Sequence, residues 1–445
     1  MPPSPHRDAF TLSRSDFPPD FLFGVATSAY QIEGHAHGGA GRTHWDRFAE
    51  QPGKVHLGQT GAAACDHFHR WQEDLDLVAG AGFDAYRFST SWARIMPDGI
   101  HVNPEGLDFY DRLVDGMLAR GIRPMATLYH WELPEALALR GGWTERETPE
   151  RFADFTRVVA DRLGDRLFST APVNEPWCVA WLGHFEGYHA PGIANLASAA
   201  RAMHHVALAH GLSVQVLREA GVRNVGAACN LEYAIPASDT AEDIAAARLY
   251  DGIYNRWFLA GMMHGAYPED VLDGLGPYLP DRWQDDMAII SAPLDWMGIN
   301  YYTCKRLTAG AGQWPGIATV EGDLPLTDMG WEICPEGFDA LLRRTAAEYT
   351  GDLPLYVTEN GMAAPDVPGR TDGDRIDYLD RHLAVARDLV ADGIPLAGFA
   401  IWSLLDNYEW TLGYDKRFGV VHVNFDTFER TPKASYRALA RMLAR

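Results

Sequence analysis

Short apolar runs alternate with longer amphipathic segments eight times between Phe21 and Arg445, and no other feature of the chain limits its fold so strongly. The runs are Phe21–Ser28, Ala85–Thr90, Arg123–His130, Thr170–Asn174, Asn224–Asn230, Asp295–Tyr302, Leu355–Thr358 and Leu396–Leu405. Each has the length of a strand. Several are apolar nearly throughout, as strands buried on both faces must be. Helical periodicity follows each run, over 67–81, 105–120, 149–163, 196–220, 240–262, 336–349, 374–392 and 433–444. Parallel strands need crossover connections, and helices supply them. The pattern predicts an α/β fold: a single (β/α)8 barrel of the TIM type with long βα loops, spanning 17–445. Residues 1–16, rich in Pro, Ser and charge, predict a flexible N-terminal tail.

Length alone, 445 residues, would suit two or three domains, but no shift of composition marks a boundary. The net charge of -22 repels phosphate backbones and anionic lipid, so neither nucleic acid nor a membrane surface is an expected partner. Cys65, Cys178, Cys229, Cys304 and Cys334 are odd in number and widely spaced, with no CxxC. That pattern predicts reduced thiols rather than a disulfide framework or a zinc site. The N-terminal stretch lacks the apolar core of a signal peptide, and no run of about 18 apolar residues occurs. A soluble, cytoplasmic protein is the expectation.

Barrels of this kind place their chemistry at the C-terminal ends of the strands. Those ends carry Gln31 after the first run, Arg87 in the second, and His130 closing the third. Asn174 and Glu175 close the fourth, Asn300 and Tyr302 the sixth, and Glu359 the seventh. Trp402 lies in the eighth, followed by Glu409 and Trp410. No GxSxG or HExxH occurs, and none of the four lysines falls inside a predicted strand, Lys305 coming nearest just after the sixth, which argues against serine, zinc and Schiff-base chemistry. Amides, carboxylates and flat aromatic faces suit a neutral polyhydroxylated ligand.

Glu175 and Glu359 follow the fourth and seventh strands, on opposite sides of the barrel mouth. Two carboxylates facing one another across a ring meet the need of glycosidic hydrolysis. One protonates the leaving oxygen, and the other attacks carbon or activates water.

At these positions the chain resembles family 1 glycoside hydrolases, the β-glucosidase family, from about Phe17 to Arg445. FLFGVATSAYQIEG (21–34) is similar to the family's N-terminal signature, VNEPW (173–177) to its acid/base motif and YVTENG (356–361) to its nucleophile motif. CDHFHRWQEDL, YRFSTSWARI, LYHWELP, GINYYT and WSLLDNYEW match in order. The resemblance implies a retaining β-glucosidase with Glu359 as nucleophile and Glu175 as acid/base. It implies that Gln31, His130, Asn174, Glu409 and Trp410 hydrogen-bond the terminal sugar. Trp402 would stack beneath that sugar, Trp331 in MGWEI would line the aglycone side, and Arg87, Asn300 and Tyr302 would set the environment of the glutamates. β-Linked glucosides or short oligosaccharides are then the substrates, with β-galactosides and β-fucosides as open extensions. No cofactor or metal is needed, since proton transfer and carboxylate attack suffice. Arg87 beside Glu359 would keep that carboxylate ionised, and its charge would raise the pKa of Glu175. The retaining geometry expects the carboxyl groups about 5–5.5 Å apart.

The residues leave two other readings open: transglycosylation, with an acceptor sugar replacing water, and sugar binding without turnover. Against 6-phosphoglycosidases stand Glu409 and Trp410, since a carboxylate near a sugar's O6 repels phosphate, although Lys416 is close in sequence. Glu175 is intact, which argues against thioglucosidases. His35 stands where the signature usually has a small residue, with His37 and His44 near it, and this leaves metal binding or, in preference, a solvated or hydrogen-bonded loop open. Glu132 replaces an expected Asp. Pro172 removes a backbone donor that the fourth strand must spare.

Overall fold

The computed structural model describes residues 7–365 and 372–445. Its strands are β1 (Leu22–Ala26), β2 (Ala85–Ser89), β3 (Arg123–Tyr129), β4 (Ser169–Val173), β5 (Gly226–Pro236), β6 (Trp296–Ala309), β7 (Ile317–Val320), β8 (Leu355–Asn360), β9 (Leu396–Trp402), β10 (Val421–Val423) and β11 (Arg430–Pro432). The main sheet runs β4-β3-β2-β1-β9-β8-β6-β5, with every neighbouring pair parallel. Bridges Thr170–Val225 and Asn174–Ala228 join its two ends, so the eight strands close into the expected (β/α)8 barrel.

That last junction is thin for a reason visible in the sequence. Thr170 donates its N–H to Asn224 O of the chain entering β5. Alternate residues of a parallel strand face the same neighbour, so position 172 should donate next. It is proline, and the ladder between β4 and β5 shrinks to two separate bridges.

Helices cover the outside, Glu147–Leu163 through one apolar stripe. In Glu147–Leu163 the buried set Phe152, Phe155, Thr156, Val159 and Leu163 recurs at helical spacing. Asn195 opens Leu196–Glu219, its side chain accepting from Ser198 N–H. Inside the barrel, Trp296 of β6 packs on Ala171, Ala228 and Tyr356. Gly226 leaves room for that indole; a Cβ there would lie 2.3 Å from the ring.

Two strands run further than expected. β5 and β6 pair as far as Pro236 and Leu307, and β6 turns through Gly310–Gly316 into antiparallel β7. The helix expected over 240–262 divides into Ala241–Asp251 and Trp257–His264, separated by a wide π-type turn at Gly252–Arg256. Of the expected tail 1–16, residues 1–6 lie outside the described residues. The remainder lies against the barrel: Thr11 N–H and Oγ1 donate to Asp380, Leu12 is buried, and Arg14 pairs with Asp84 at 3.0 Å. Among the described residues no helix is long and apolar enough to cross a membrane. All five cysteines are free and buried.

Candidate active site

A cavity of about 290 Å³ opens at the C-terminal ends of the strands. Gln31, His130, Glu175, Asn300, Tyr302, Trp331, Glu359, Trp402, Glu409 and Trp410 all line it, ten of the twelve side chains singled out from sequence. The other two, Arg87 and Asn174, are buried behind the wall.

Glu175 lies just beyond β4, after Asn174, and Pro176 opens the helical segment that follows, a position where the missing N–H costs nothing. Glu175 itself sits at φ +48°, in the left-handed region that non-glycine residues avoid. Trp131 and Trp410 do the same, at +84° and +52°. Each such residue costs on the order of 1–3 kcal/mol, and three of them meet around one cavity.

Glu359 lies within β8, one residue before its end, and is paired in register with Asn300 of β6. Arg87, inward-facing on β2, donates Nη1–H to Glu359 Oε1 at 2.5 Å and Nη2–H to Asn174 Oδ1 at 2.6 Å. Tyr302 OH donates to Glu359 Oε2 at 2.6 Å. Both oxygens of Glu359 therefore accept from fixed donors, one of them cationic.

Asn300 connects the two carboxylates' surroundings. Its Nδ2–H groups donate to Glu175 Oε1 at 2.7 Å and to Asn174 Oδ1 at 3.0 Å, while its Oδ1 accepts from Thr358 Oγ1 at 2.6 Å. Asn174 Nδ2 donates to His130 Nε2 at 3.2 Å, which puts the proton of the neutral ring on Nδ1. Burial first, then Arg87, push the His130 pKa well down, so neutral is its ordinary state.

Burial raises the Glu175 carboxyl to about 8, and the charge of Glu359 adds to that rise. Asn300, Cys178 and Arg87 pull in the opposite direction. The sequence had suggested Glu359 as the cause; desolvation is the larger one. Glu409 also rises to about 8, again by burial first and then by Glu359 and Glu175. Gln31 Nε2 reaches Glu409 Oε2 at 3.4 Å and is held by Asn407 Oδ1 at 3.0 Å and Tyr408 O at 2.9 Å.

The aromatic residues form a column of near-parallel rings. His35 lies on Tyr30 (centroids 5.4 Å, 13°), and Tyr30 on Trp410 (5.7 Å, 6°). Trp410 faces His130 (6.2 Å, 10°), and His130 faces Trp402 (5.7 Å, 16°). Trp331 packs apart from these, on Tyr302 and Phe418. Of the unassigned histidines, His35 pairs with Asp46 at 3.0 Å, and buried His44 accepts Leu133 N–H on Nδ1 at 3.2 Å.

Sequence reasoning missed Cys178, whose Sγ–H donates to Glu175 Oε2 at 3.1 Å. A position three beyond Glu175, just inside a helical segment, was the available signal. It also missed the outer rim, where Glu186, Glu232, Tyr254 and Lys305 line the same cavity from separate segments.

The family model described as Glycosyl hydrolase family 1 matches residues 13–445. Beta-glucosidase A of Thermotoga maritima is 45% identical over 428 residues, covering 94% of this chain and 96% of that protein. A bifunctional beta-D-glucosidase/beta-D-fucosidase of Bifidobacterium breve is 41% identical, covering 96% and 98%. A solved structure of the family 1 b-glucosidase from Thermotoga maritima superposes with a TM-score of 0.93 at 43% identity, covering 97% of this chain and 98% of that one. Matched from near its start to its last residue, and aligned with these relatives almost end to end, the chain belongs to glycosyl hydrolase family 1.

Proposed function

We propose that the protein is a retaining β-glucosidase, releasing terminal non-reducing β-D-glucosyl residues, with Glu359 as nucleophile and Glu175 as acid/base. One observation carries this reading: two glutamates share a cavity in opposite electrostatic settings. Glu359 is pinned by Arg87 and Tyr302, while Glu175 is desolvated and raised to about 8. Opposed environments for paired carboxylates are how acid and nucleophile are told apart.

In the first step Glu359 forms a bond to the anomeric carbon. The electron pair of the breaking C–O bond goes to the leaving oxygen, which takes the Glu175 proton. Esterification removes the Glu359 charge, one of the two causes that raise Glu175, so Glu175 then accepts a proton from water. Water bonds to the same carbon, and Glu359 leaves. Two inversions give retention. Gln31, His130, Glu409 and Trp410 line the cavity where sugar hydroxyls would bind, Trp402 supplies the stacking face, and Trp331 flanks the aglycone. Asn174 acts from behind the wall, holding Arg87, Asn300 and His130 in place.

β-Glucosides and short β-linked oligosaccharides are the proposed substrates. The likeness to the bifunctional beta-D-glucosidase/beta-D-fucosidase of Bifidobacterium breve supports β-fucosides as a second class. Phosphorylated sugars are disfavoured, for a reason that differs from the one the sequence suggests. Glu409 is raised to about 8, so its charge is suppressed at neutral pH. Lys416, the cation nearest in sequence, is already paired with Asp328 at 3.0 Å and Asp415 at 3.1 Å. A cytoplasmic, reducing setting fits the five free thiols.

The test is Glu359→Gly. Hydrolysis of an aryl β-glucoside should fall on the order of 10⁴-fold or more. Added azide should restore turnover and yield the α-glycosyl azide. A β-azide from this variant would exchange the two roles, and full activity without azide would end the proposal.

A further inference from the structure

Outside the sugar cavity, three side chains converge where the loop at Gly34–Gly41 meets the helix His67–Gly80. His37 Nε2 lies 4.0 Å from Asp66 Oδ1, and His69 Nδ1 lies 2.6 Å from the same oxygen. One ligand atom from each residue falls within 4.8 Å of the other two. The two imidazoles meet edge to face, centroids 4.5 Å apart.

We propose that His37, Asp66 and His69 form a binding site for a zinc-type transition-metal dication, distinct from the sugar cavity. Two imidazoles with one carboxylate are ligands that Zn²⁺ takes readily and that Mg²⁺ and Ca²⁺ do not. Bonds of about 2.0–2.1 Å place tetrahedral ligands roughly 3.3 Å apart. The two separations here, 2.6 and 4.0 Å, fall on either side of that value. The third pair, His37 and His69, lies within 4.8 Å, so shifts on the order of an ångström complete the set, and both imidazoles are exposed enough to make them. Water would take the fourth position.

Nearby charge also matters. Arg70 Nε stands 3.5 Å from Asp66 Oδ2, and Arg70 is in turn held by Glu73 at 3.3 Å, which leaves Oδ1 turned toward the imidazoles. Arg94, whose Nη1–H donates to His37 O, and the positive end of the helix both oppose a cation. Simple charge attraction is therefore weak at this point, and binding depends on nitrogen ligation. That predicts selectivity for Zn²⁺ over Mg²⁺ rather than general cation uptake. A bound ion ties the Gly34–Gly41 loop to the helix, and this loop carries His35, the outer ring of the aromatic column.

The experiment uses the full chain without an affinity tag. Calorimetry with Zn²⁺ and with Mg²⁺ at pH 7.5 should show one saturable Zn²⁺ site and no Mg²⁺ site. Co²⁺ should give the visible absorption of a four-coordinate ion. His37→Ala and His69→Ala should each weaken Zn²⁺ at least about tenfold. His101→Ala, which alters another exposed His–Asp pair, should bind as the parent does. Zn²⁺ should raise the melting temperature of the parent and of neither site variant, all three melting alike in chelator. No saturable Zn²⁺ binding by the parent, unchanged binding in both site variants, or loss on His101→Ala would each overturn the assignment.

Discussion

Arg87 reaches across the barrel interior from β2 to Glu359 on β8, closing an ion pair at 2.5 Å with both side chains almost fully buried. A buried guanidinium with one nitrogen on a carboxylate and another on Asn174 fixes the angle of approach as well as the charge. Lysine keeps the charge but not the fork. Arg87→Lys should therefore retain the fold, measured by melting temperature, and still lose activity on aryl β-glucosides. Parental kcat/KM in a folded Arg87→Lys protein would remove the fork from the account.

Tyr302 supplies the second donor to Glu359. Hydrogen bonds to charged groups are worth about 1.5–3 kcal/mol, so Tyr302→Phe should lower kcat/KM about 10–100-fold. An effect below twofold would show that the hydroxyl is incidental.

The acid/base reading fixes a pH limb. With Glu175 raised to about 8, kcat/KM should fall as pH rises through that value, because the proton donor is lost. In Glu359→Gln the neighbouring charge is gone and burial remains. Carbon-13 titration of Glu175 in that variant should give a pKa below about 8 yet above the ordinary carboxylate range of about 4.3. An unchanged Glu175 would mean that the two groups do not sense each other.

Cys178 donates to Glu175 and favours its ionised form. Cys178→Ala should shift the alkaline limb upward, while the Glu359→Gly azide rescue stays intact. A limb that does not move would make the thiol a packing group only.

Glu409 sets a stability slope. Its folded pKa, about 8, exceeds the ordinary value, so between the two the folded state holds the extra proton and stability falls as pH rises. Glu409→Gln has no such titration. Its urea midpoint should fall less steeply between pH 5 and 9, with a residual slope from Glu175, which has the same sign. Identical slopes in parent and variant would contradict the raised value.

The parts legible in sequence are those governed by period and local chemistry. Eight apolar runs became the eight barrel strands, and even the spared donor at Pro172 was readable. The β6–β7 hairpin was not, because Ile317–Val320 is largely exposed and shows no alternation. β10 and β11, three residues each, are too short to express a period. The turn at Gly252–Arg256 hides inside a stretch whose average remains helical. At the site, strand-end residues were found because the barrel rule says where to look. Glu186, Glu232 and Lys305 come from different segments, and only folding makes them neighbours.

The thin junction between β4 and β5 has a last consequence. A closed barrel is a hoop, and a hoop parts at its weakest joint. Here that joint stands beneath Glu175, anchored by two bridges beside a proline. Warming should spring this joint before the rest of the hoop gives way. The enzyme should then fall silent on heating while its helices are still intact, with the acid/base residue the first to lose its footing.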